Sequence, residues 1–378
     1  MDPLARAFEL AALGHGRTAP NPPVGAVLVR DGAIVGEGYH AAAGQPHAEV
    51  VALAQAGDAA RGATLYVTLE PCCHHGRTPP CTAAIVAAGV AEVRYAIEDP
   101  DPRVAGAGRR ALEQAGVLVR ADQDEATARE LLRGYLSRQT RGRPWCTAKF
   151  AMSLDGKIAA HTGDARWISG EESRRYAHAL RDRVDAVIVG VGTVLADDPR
   201  LTVRPVPRDG RQPRRIVVDS RLRTPLGSAV VAPDLGAGTT IACVDDVPVD
   251  GQSARHARAQ AAGRLAERGV ELLALPAGPD GRVDLRALSA ALGRQGLNEV
   301  LVEGGGELLA GFIAAGLVDE LEFCLAPLVI GGRAAVSPVE GDGVERVALA
   351  PRFELIEQTR RGPDLWVRAR PVCVAGGR

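Results

Sequence analysis

The sequence predicts an α/β protein with two domains. Its 378 residues exceed one ordinary domain, because domains average ~150 residues. In both halves of the chain, short apolar runs typical of buried strands alternate with stretches of helical periodicity, which indicates sheets covered by helices. A Pro/Gly break at residues 141–144 separates the two alternating regions, as expected for a linker. We therefore expect domains at residues 1–144 and 145–378.

The first half begins with a helical pattern over residues 4–13. Two apolar runs then flank Asp31-Gly32, a dipeptide typical of hairpin turns. Alternation follows, with helices expected at 47–56, 82–88, 104–115 and 125–137, and strands at 64–69, 93–97 and 117–119. A hairpin followed by alternating elements predicts a mixed sheet with helices on both faces.

The second half resumes with a new strand directly after the break. The apolar runs that predict its buried strands are residues 145–151, 186–190, 215–219, 240–243 and 300–303. Residues 247–263 are loop-like or weakly helical, and they receive no assignment. No internal repeat relates the two halves.

The composition argues against nucleic acid and membranes as partners. The net charge is −1 and only 3% of residues are aromatic, so a basic surface with stacking rings is not expected. No apolar run reaches the ~18 residues of a membrane-spanning helix, and the first residues lack a signal-peptide pattern. Seven cysteines without framework spacing favour reduced thiols in a cytoplasmic protein.

One segment carries the parts of a catalytic zinc site. His47 stands two residues before Glu49 in a predicted helix, Cys72 follows a predicted strand, and Cys81 opens the next helix. Three protein ligands leave the fourth tetrahedral position of zinc for water, and a nearby carboxylate can move the protons. The two helix N-termini would favour thiolate over thiol.

Other groups in the same loop could also bind metal. Cys73, His74 and His75 lie beside Cys72, and four of these groups could form a closed structural site instead. Adjacent cysteines seldom serve together at one ion, and we favour Cys72 because Pro71 restricts the chain just before it.

Two features stand out in the second half. Of 45 basic residues only two are lysines, Lys149 and Lys157. Where nearly all other cationic positions hold arginine, a surviving lysine suggests a place that needs a compact ammonium. Three glycines at residues 304–306 follow a predicted strand and precede a helix, an arrangement suited to a cofactor pyrophosphate although it lacks the G-x-G-x-x-G spacing.

The zinc motif resembles that of the cytidine-deaminase-like superfamily. Residues 71–81 read Pro-Cys-Cys-His-His-Gly-Arg-Thr-Pro-Pro-Cys, and this long loop is similar to that of the bifunctional riboflavin-biosynthesis deaminase/reductase family. Residues 20–22, 36–40, 62–64 and 99–102 extend the match. The resemblance implies a cytidine-deaminase-like α/β/α domain with zinc on His47, Cys72 and Cys81. It also implies that Glu49 is the proton shuttle and that Asn21 binds the pyrimidine.

Residues 164–169, 195–202 and 217–220 are similar to the reductase half of the same family. That half implies a dihydrofolate-reductase-like α/β domain with NADPH as cofactor. The implied cofactor contacts are Ala151, Trp167, Thr193, Asp197, Ser220, Gly305, Gly306 and Glu307, and the implied substrate contacts are Arg181, Leu201, Arg204 and Glu303. Lys149 and Glu303 are candidates for polarising or protonating the sugar. Ala165 stands where the family often has a substrate-binding serine, so one hydroxyl contact is absent.

The resemblance implies two consecutive reactions of riboflavin synthesis. The zinc site would deaminate 2,5-diamino-6-ribosylamino-4(3H)-pyrimidinone 5′-phosphate, and the second site would reduce the ribosyl group to ribityl with NADPH. We expect a small phosphorylated pyrimidine as the partner and a homo-oligomeric assembly. The rival interpretations are a nucleic-acid base deaminase, a non-enzymatic zinc module, and a deaminase with a decayed reductase half.

Overall fold

The computed structural model describes residues 2–74, 79–121, 124–207, 209–245 and 252–372. The chain divides into two compact units. The first comprises Met1–Arg143 with Gly296–Asn298, and the second comprises Pro144–Gln295 with Glu299–Arg378. Within the described ranges, no helix is both long enough and apolar enough to cross a membrane.

The first unit is a five-stranded mixed sheet with helices around it. The order is β2-β1-β3-β4-β5, with β1 antiparallel to β2 and β3, and with β3, β4 and β5 parallel. Its elements are α1 (Pro3–Ala12), β1 (Gly25–Arg30), β2 (Ala33–Tyr39), α2 (Ala48–Ala56), β3 (Thr64–Val67), α3 (Cys81–Ala87), β4 (Glu92–Tyr95), α4 (Ala107–Gln114), β5 (Leu118–Arg120), α5 (Glu125–Leu131) and α6 (Arg133–Arg141). The single helix predicted over 125–137 is two helices, because the chain leaves helical geometry at Leu132.

Short-range signals explain how this unit presents its helices. The β1–β2 hairpin turns at Asp31 and Gly32, both with positive φ (51° and 77°), as such a turn requires. Strand β2 crosses α2 at Gly38, where a Cβ would lie 2.5 Å from the carbonyl oxygen of Ala48. The absent side chain lets the start of α2 approach the sheet closely. This approach fixes the position of His47, the residue directly before α2.

The second unit is a nine-stranded sheet of order β10-β9-β8-β7-β11-β6-β12-β14-β13. In this order, every strand from β10 through β12 is parallel to its neighbours. Strand β14 is antiparallel to β12, and β13 is antiparallel to β14. Its elements are β6 (Trp145–Ser153), α7 (Glu171–Arg183), β7 (Ala186–Gly190), α8 (Val191–Asp197), β8 (Arg214–Val218), β9 (Thr239–Val244), α9 (Gln252–Glu267), β10 (Glu271–Leu275), α10 (Leu285–Arg294), β11 (Glu299–Glu303), α11 (Gly306–Ala314), β12 (Glu320–Ala326), β13 (Phe353–Arg361) and β14 (Asp364–Pro371).

Several of these elements were not assigned from the sequence. Of residues 247–263, those from 252 onward belong to α9, and residues 247–251 lie outside the described ranges. Strand β12 carries Glu320 and Glu322, which are buried although charged residues usually signal an exposed segment. Arg368 and Arg370, on the neighbouring β14, approach Glu320 to 3.0 and 2.9 Å. The strand therefore satisfies its buried charges with partners far away in the sequence.

Candidate functional site

The residues predicted to bind zinc converge in the first unit. His47 directly precedes α2, Cys72 lies in the segment after β3, and Cys81 is the first residue of α3. Their ligand atoms all lie within 4.8 Å of one another. The Nδ1 atom of His47 is 3.6 Å from the Sγ atom of Cys72 and 3.3 Å from that of Cys81. One imidazole and two thiols at such distances are a donor set that suits zinc.

The neighbouring groups of the loop take other positions. The Cys73 thiol is 3.8 Å from the carbonyl oxygen of Arg103, toward which it donates. The Nδ1 atom of His74 is buried without a hydrogen-bond partner among the described residues, and the ring lines the adjacent cavity. His75 lies outside the described residues. The structure thus brings Cys72 rather than Cys73 to His47 and Cys81.

Hydrogen bonding around the cluster favours a thiolate at Cys72. The thiol and the backbone N–H of Cys81 hydrogen-bond to the Cys72 sulfur, the backbone contact measuring 3.4 Å, and they lower the pKa of Cys72 well below its usual range. The pKa of Cys81 is raised, because its thiol is the donor in that pair and is also buried. The contact with Cys72 raises the pKa of His47. Sulfur ligands of zinc bind as thiolates, so this environment prepares the site for the metal.

Glu49 lies in the first turn of α2 and is 4% exposed. Burial, reinforced by the negative Cys72, raises the pKa of Glu49 to about 7. A carboxyl group with such a pKa can hold or release a proton near neutral pH. Its side chain lines the same cavity as His47 and Cys72.

The cavity has a volume of about 520 Å³. Asn21 lines it, and the Nδ2 atom of Asn21 is 3.0 Å from the Nε2 atom of His40. The other ring nitrogen of His40 is 3.0 Å from the carbonyl oxygen of Pro46, so it carries the hydrogen and Nε2 accepts from Asn21. Burial lowers the pKa of His40, which favours this neutral form.

His40 is a residue that the sequence analysis did not single out. It orients the Asn21 amide, which had been predicted to bind the pyrimidine. The only signal for it was its place in the matched segment 36–40, because the contact with Asn21 bridges residues far apart in the chain.

Residues 99–104 form another wall of the cavity, and the sequence analysis had matched part of this segment without assigning it a role. Asp99 accepts a hydrogen bond of 2.8 Å from the Tyr135 hydroxyl, and burial raises the pKa of Asp99 to about 6. Asp101 binds the Arg103 guanidinium through Nε at 3.0 Å. The cavity wall therefore contains the Asp99 carboxyl group, which keeps its proton to a higher pH than usual, and the Asp101–Arg103 ion pair.

In the second unit, the predicted cofactor contacts gather at one edge of the sheet. Ala151 lies near the end of β6, Thr193 in α8 directly after β7, Ser220 just after β8, and Gly305 just after β11. These four strands are parallel, so their carboxyl ends share an edge, where α/β proteins bind nucleotide cofactors.

The glycine turn after β11 forms a cradle at this edge. Gly304 and Gly305 have φ of 78° and 81°, and a Cβ on Gly305 would lie 3.3 Å from the hydroxyl oxygen of Thr193. Gly306 begins α11, and helix N-termini are places where anions bind in other proteins. The absence of side chains lets Thr193 pack closely on the turn at Gly305 and Glu340 on the turn at Gly306.

The other predicted cofactor residues, and the hydroxyl of Ser220, differ in their contacts. The ring of Trp167 is 68% exposed, with the Arg174 guanidinium carbon 4.8 Å from its centre. The carbonyl oxygen of Asp197 accepts a hydrogen bond from Arg166 at 3.3 Å, and the hydroxyl of Ser220 accepts one from the backbone of Val283. The carboxylate of Glu307 pairs with Arg282 at 2.8 Å on the surface.

Glu303 and Arg181 form the central ion pair of the second unit. Two guanidinium nitrogens of Arg181, Nε and Nη2, donate to the Glu303 carboxylate at 2.7 and 2.8 Å. Its Nη1 atom donates to the carbonyl oxygen of Thr202. Burial opposes ionisation of Glu303, but Arg181, assisted by Lys149, lowers the pKa of Glu303 to about 2. Lys149 stands beside Glu303 in the register of β6 and β11.

The other predicted substrate residues flank this pair. Leu201 is buried and has a φ of 54°. The backbone N–H of Arg204 donates to the Nδ1 atom of His178 at 3.3 Å, and His178 is a further residue that the sequence analysis did not name. Lys157, the second lysine, donates to the carbonyl oxygen of Ala335 and to the Ser337 hydroxyl at 3.1 and 3.3 Å. Lys157 therefore binds the segment that contains Ala335 and Ser337.

Comparison with known proteins shows relatives of both units. Residues 3–97 match the model of the cytidine and deoxycytidylate deaminase zinc-binding region, and residues 144–367 match that of the RibD C-terminal domain. The riboflavin biosynthesis protein RibD of Escherichia coli (strain K12) is 43% identical over 374 residues, which cover 96% of each chain. The chain belongs to the RibD family.

Solved structures extend this similarity to the fold. RibD of Acinetobacter baumannii (form 2) matches with a TM-score of 0.85 and 37% identity over 98% of each chain. A diaminohydroxyphosphoribosylaminopyrimidine deaminase/5-amino-6-(5-phosphoribosylamino)uracil reductase from Thermotoga maritima matches with a TM-score of 0.82 and 32% identity, also over 98% of each chain.

These matches confirm the predicted family, the α/β fold class and the bifunctional deaminase and reductase character. Zinc and NADPH, the two cofactors that the sequence analysis predicted, are those of this family. The structure offers a suitable donor set for the first in the His47 cluster. For the second, it places the glycine turn at Gly304 and Gly305 at the carboxyl edge of the second sheet.

Proposed function

We propose that this chain catalyses two consecutive steps of riboflavin synthesis on one phosphorylated pyrimidine. The first unit hydrolyses an amino group from 2,5-diamino-6-ribosylamino-4(3H)-pyrimidinone 5′-phosphate, and the second reduces the ribosyl group of the product. The observation that carries the proposal is the placement of a zinc donor set and a buried glutamate at one cavity, in a chain of this family.

For the deaminase, we assign zinc to His47, Cys72 and Cys81. When bound, zinc supplies the Lewis acidity that makes water a nucleophile at neutral pH. Glu49 lies in the turn of helix directly after His47, and it lines the cavity. Its carboxylate takes the proton of the attacking water and delivers it to the pyrimidine, so that ammonia can leave.

Asn21 orients the ring in this proposal. Its Nδ2 hydrogen is engaged by His40, which leaves its Oδ1 oxygen as an acceptor for an N–H group of the pyrimidine. Because His40 is itself held by the carbonyl oxygen of Pro46, the amide cannot turn over without losing a hydrogen bond. The enzyme therefore presents an acceptor in a fixed direction to the substrate.

For the reductase, we assign the cofactor to the carboxyl edge of the second sheet. NADPH supplies the hydride when bound. The glycine turn at Gly305 and Gly306 holds its phosphates, and Ala151, Thr193 and Asp197 orient the rest. Trp167, Ser220 and Glu307 complete the proposed cofactor contacts.

Within the reductase, Lys149 is the better proton donor of the two candidates. The low pKa of Glu303 keeps it a carboxylate, so it can accept a hydrogen bond from a sugar hydroxyl but holds no proton to give. Lys149 lies beside it and can donate to the oxygen that becomes a hydroxyl. Leu201 and Ala165 would line the sugar.

The two arginines also differ in availability. Arg181 already donates to Glu303 and Thr202 through three nitrogen atoms, so its role is mainly to fix Glu303. Arg204 donates to His178 through its backbone N–H, so its guanidinium can bind the sugar phosphate. Cytoplasmic location and a homo-oligomeric assembly form part of the proposal.

Mass spectrometry of the products tests this function. The wild-type chain loaded with zinc should release ammonia and accumulate the deaminated ribosyl compound without NADPH. With NADPH, the product should gain two hydrogen atoms and become the ribityl compound. Removal of zinc by a chelator should abolish the first step and leave reduction of supplied deaminated compound intact. Deamination without any NADPH oxidation would establish a decayed reductase instead.

A further inference from the structure

Glu70 is a buried carboxylate in the first unit that has no part in the mechanism above. It lies two residues before Cys72 and is 3% exposed. Its Oε2 atom accepts hydrogen bonds from the backbone N–H groups of Asp99 and Gly106, at 3.3 and 2.9 Å. Its Oε1 atom accepts one from Arg109 at 3.0 Å. One side chain thus satisfies three backbone donors of a distant segment.

The three donors belong to the wall of the cavity and to the helix that follows it. Residues 99–104 include Asp99, Asp101 and Arg103, which line the cavity. Arg109 lies in the first turn of α4, so the Glu70 carboxylate is also placed at the positive end of that helix. A charged acceptor makes stronger hydrogen bonds than a neutral one. Here the Glu70 carboxylate binds a loop that has no regular structure.

A second contact joins the same two segments. A Cβ on Gly108 would lie 2.1 Å from the carbonyl oxygen of Pro71 and 3.0 Å from the Oε1 atom of Glu70. Helix α4 therefore packs on the 70–71 segment at a point with no room for a side chain. Beyond it, the Cys73 thiol reaches the carbonyl oxygen of Arg103. The segment that carries Cys72 is attached to the cavity wall at several successive residues.

We infer that Glu70 is a positioning residue of the deaminase, which fixes the wall at residues 99–104 relative to Cys72 and so determines how tightly the pyrimidine binds. The inference rests on the proposed deaminase function. Glu70 itself lines the cavity, but both of its oxygens are engaged by backbone N–H groups, so we assign it a positioning role and not a catalytic one. It acts through the side chains of the wall, which face the cavity.

The substitution Glu70→Gln tests this role in the full-length, zinc-loaded chain. Glutamine has the same shape, but its NH2 group would face a backbone N–H and could not accept a hydrogen bond from it. We expect kcat/KM of deamination to fall by up to about 100-fold, the cost of an ångström-scale misplacement, mainly through a raised KM. Zinc content and the reduction of supplied deaminated compound should stay at wild-type values.

Two further variants separate charge from volume. Glu70→Asp keeps the carboxylate on a shorter side chain, so its KM should lie closer to wild type than that of Glu70→Gln. A role in packing alone would reverse this order. Gly108→Ala keeps the Glu70 carboxylate but places a Cβ against both the Pro71 carbonyl oxygen and the Glu70 side chain. It should displace α4 and therefore also raise KM if the position of the wall determines pyrimidine binding. These two variants carry the test if Glu70→Gln does not fold.

Glu113→Gln is the matched control, because Glu113 lies on the same helix in an exposed pair with Arg109. It should leave KM and kcat unchanged. An unchanged KM in Glu70→Gln, or loss of zinc together with activity, would overturn the inference while the wild-type chain still deaminates. Failure of the wild-type chain to release ammonia would instead refute the proposed function, and the inference with it.

Discussion

Glu49 and Glu303 are both buried carboxyl groups at the candidate sites of their units, yet their proton affinities differ widely. Burial raises the pKa of Glu49 to about 7, whereas Arg181 outweighs burial and lowers the pKa of Glu303 to about 2. Burial without a paired guanidinium lets Glu49 exchange a proton near neutral pH, whereas the guanidinium beside Glu303 keeps that carboxyl group a fixed charge. The difference suits proton transfer in one unit and orientation in the other.

The substitution Glu49→Gln should have the largest effect, since it removes the proton carrier and keeps its shape. We expect deamination to fall by about 10²- to 10⁴-fold, the range for general acid–base catalysis, with zinc retained. Reduction of supplied deaminated compound should continue at the wild-type rate. The measurement is ammonia release beside NADPH oxidation, with the exposed Glu9→Gln as control. Loss of both activities would show that the two sites do not work as separate modules.

Arg181→Met should turn Glu303 into a buried carboxyl group without its main partner. Removing one member of a buried pair costs about 3–5 kcal/mol of unfolding free energy, and reduction should be lost. Denaturant unfolding measures the cost. Arg175→Met is the control, because it lies on the same helix in an exposed pair with Glu171 and should change stability by less than ~1 kcal/mol.

If the low pKa of Glu303 depends on Arg181, then adding Glu303→Gln to Arg181→Met should restore part of the lost stability. A double variant as unstable as the sum of the two single variants would contradict the pairing.

Asp99 offers a test of burial away from the zinc ligands, because burial is the main cause of its raised pKa. Its pKa is raised to about 6 by burial, so the folded chain binds its proton more tightly than the unfolded chain. The stabilising proton is present below the unfolded pKa of about 3.9 and is lost as pH rises through 6. Wild type should therefore lose about 2 kcal/mol relative to Asp99→Asn between pH 4 and 6.

Denaturant unfolding at several pH values measures this difference. The exposed Asp31→Asn should follow wild type at each pH. A constant difference between wild type and Asp99→Asn over this range would mean that burial does not control the proton of Asp99.

The smallest expected effect concerns the backbone cradle of the second unit. Gly305→Ala places a Cβ 3.3 Å from the hydroxyl of Thr193 at a positive φ. We expect the Kd for NADPH to rise about tenfold, which corresponds to about 1.4 kcal/mol of strain. Fluorescence titration with NADPH measures it. Gly263→Ala, where a Cβ meets nothing within 4 Å, should bind the cofactor as wild type does, and ammonia release should be unaffected in both.

The two units also differ in how much of them the sequence predicts. The mixed sheet of the first unit and the alternation in the second follow from local periodicity. Strand β12 was not predicted from the sequence, because its buried Glu320 pairs with arginines of another strand. The helix over residues 252–267 escaped because arginine and alanine recur along it without an apolar stripe. Lys157 had been singled out by its rarity, and its contact with Ala335 is visible only in the fold.

By itself, the sequence determined the chemistry of the first site. Imidazole, thiol and carboxylate groups at short spacing are enough to predict zinc binding and proton transfer. The loop between Cys72 and Cys81 is enough to indicate the family. The sequence had favoured Cys72 over Cys73, and the structure places Cys72 beside His47. Tertiary structure alone decided that His40 holds Asn21 and that Glu70 binds the cavity wall. It also decided that Glu303 is a fixed charge. The physical reason is that proton affinity and hydrogen-bond partnership depend on neighbours in space, and those neighbours come from residues distant in the chain.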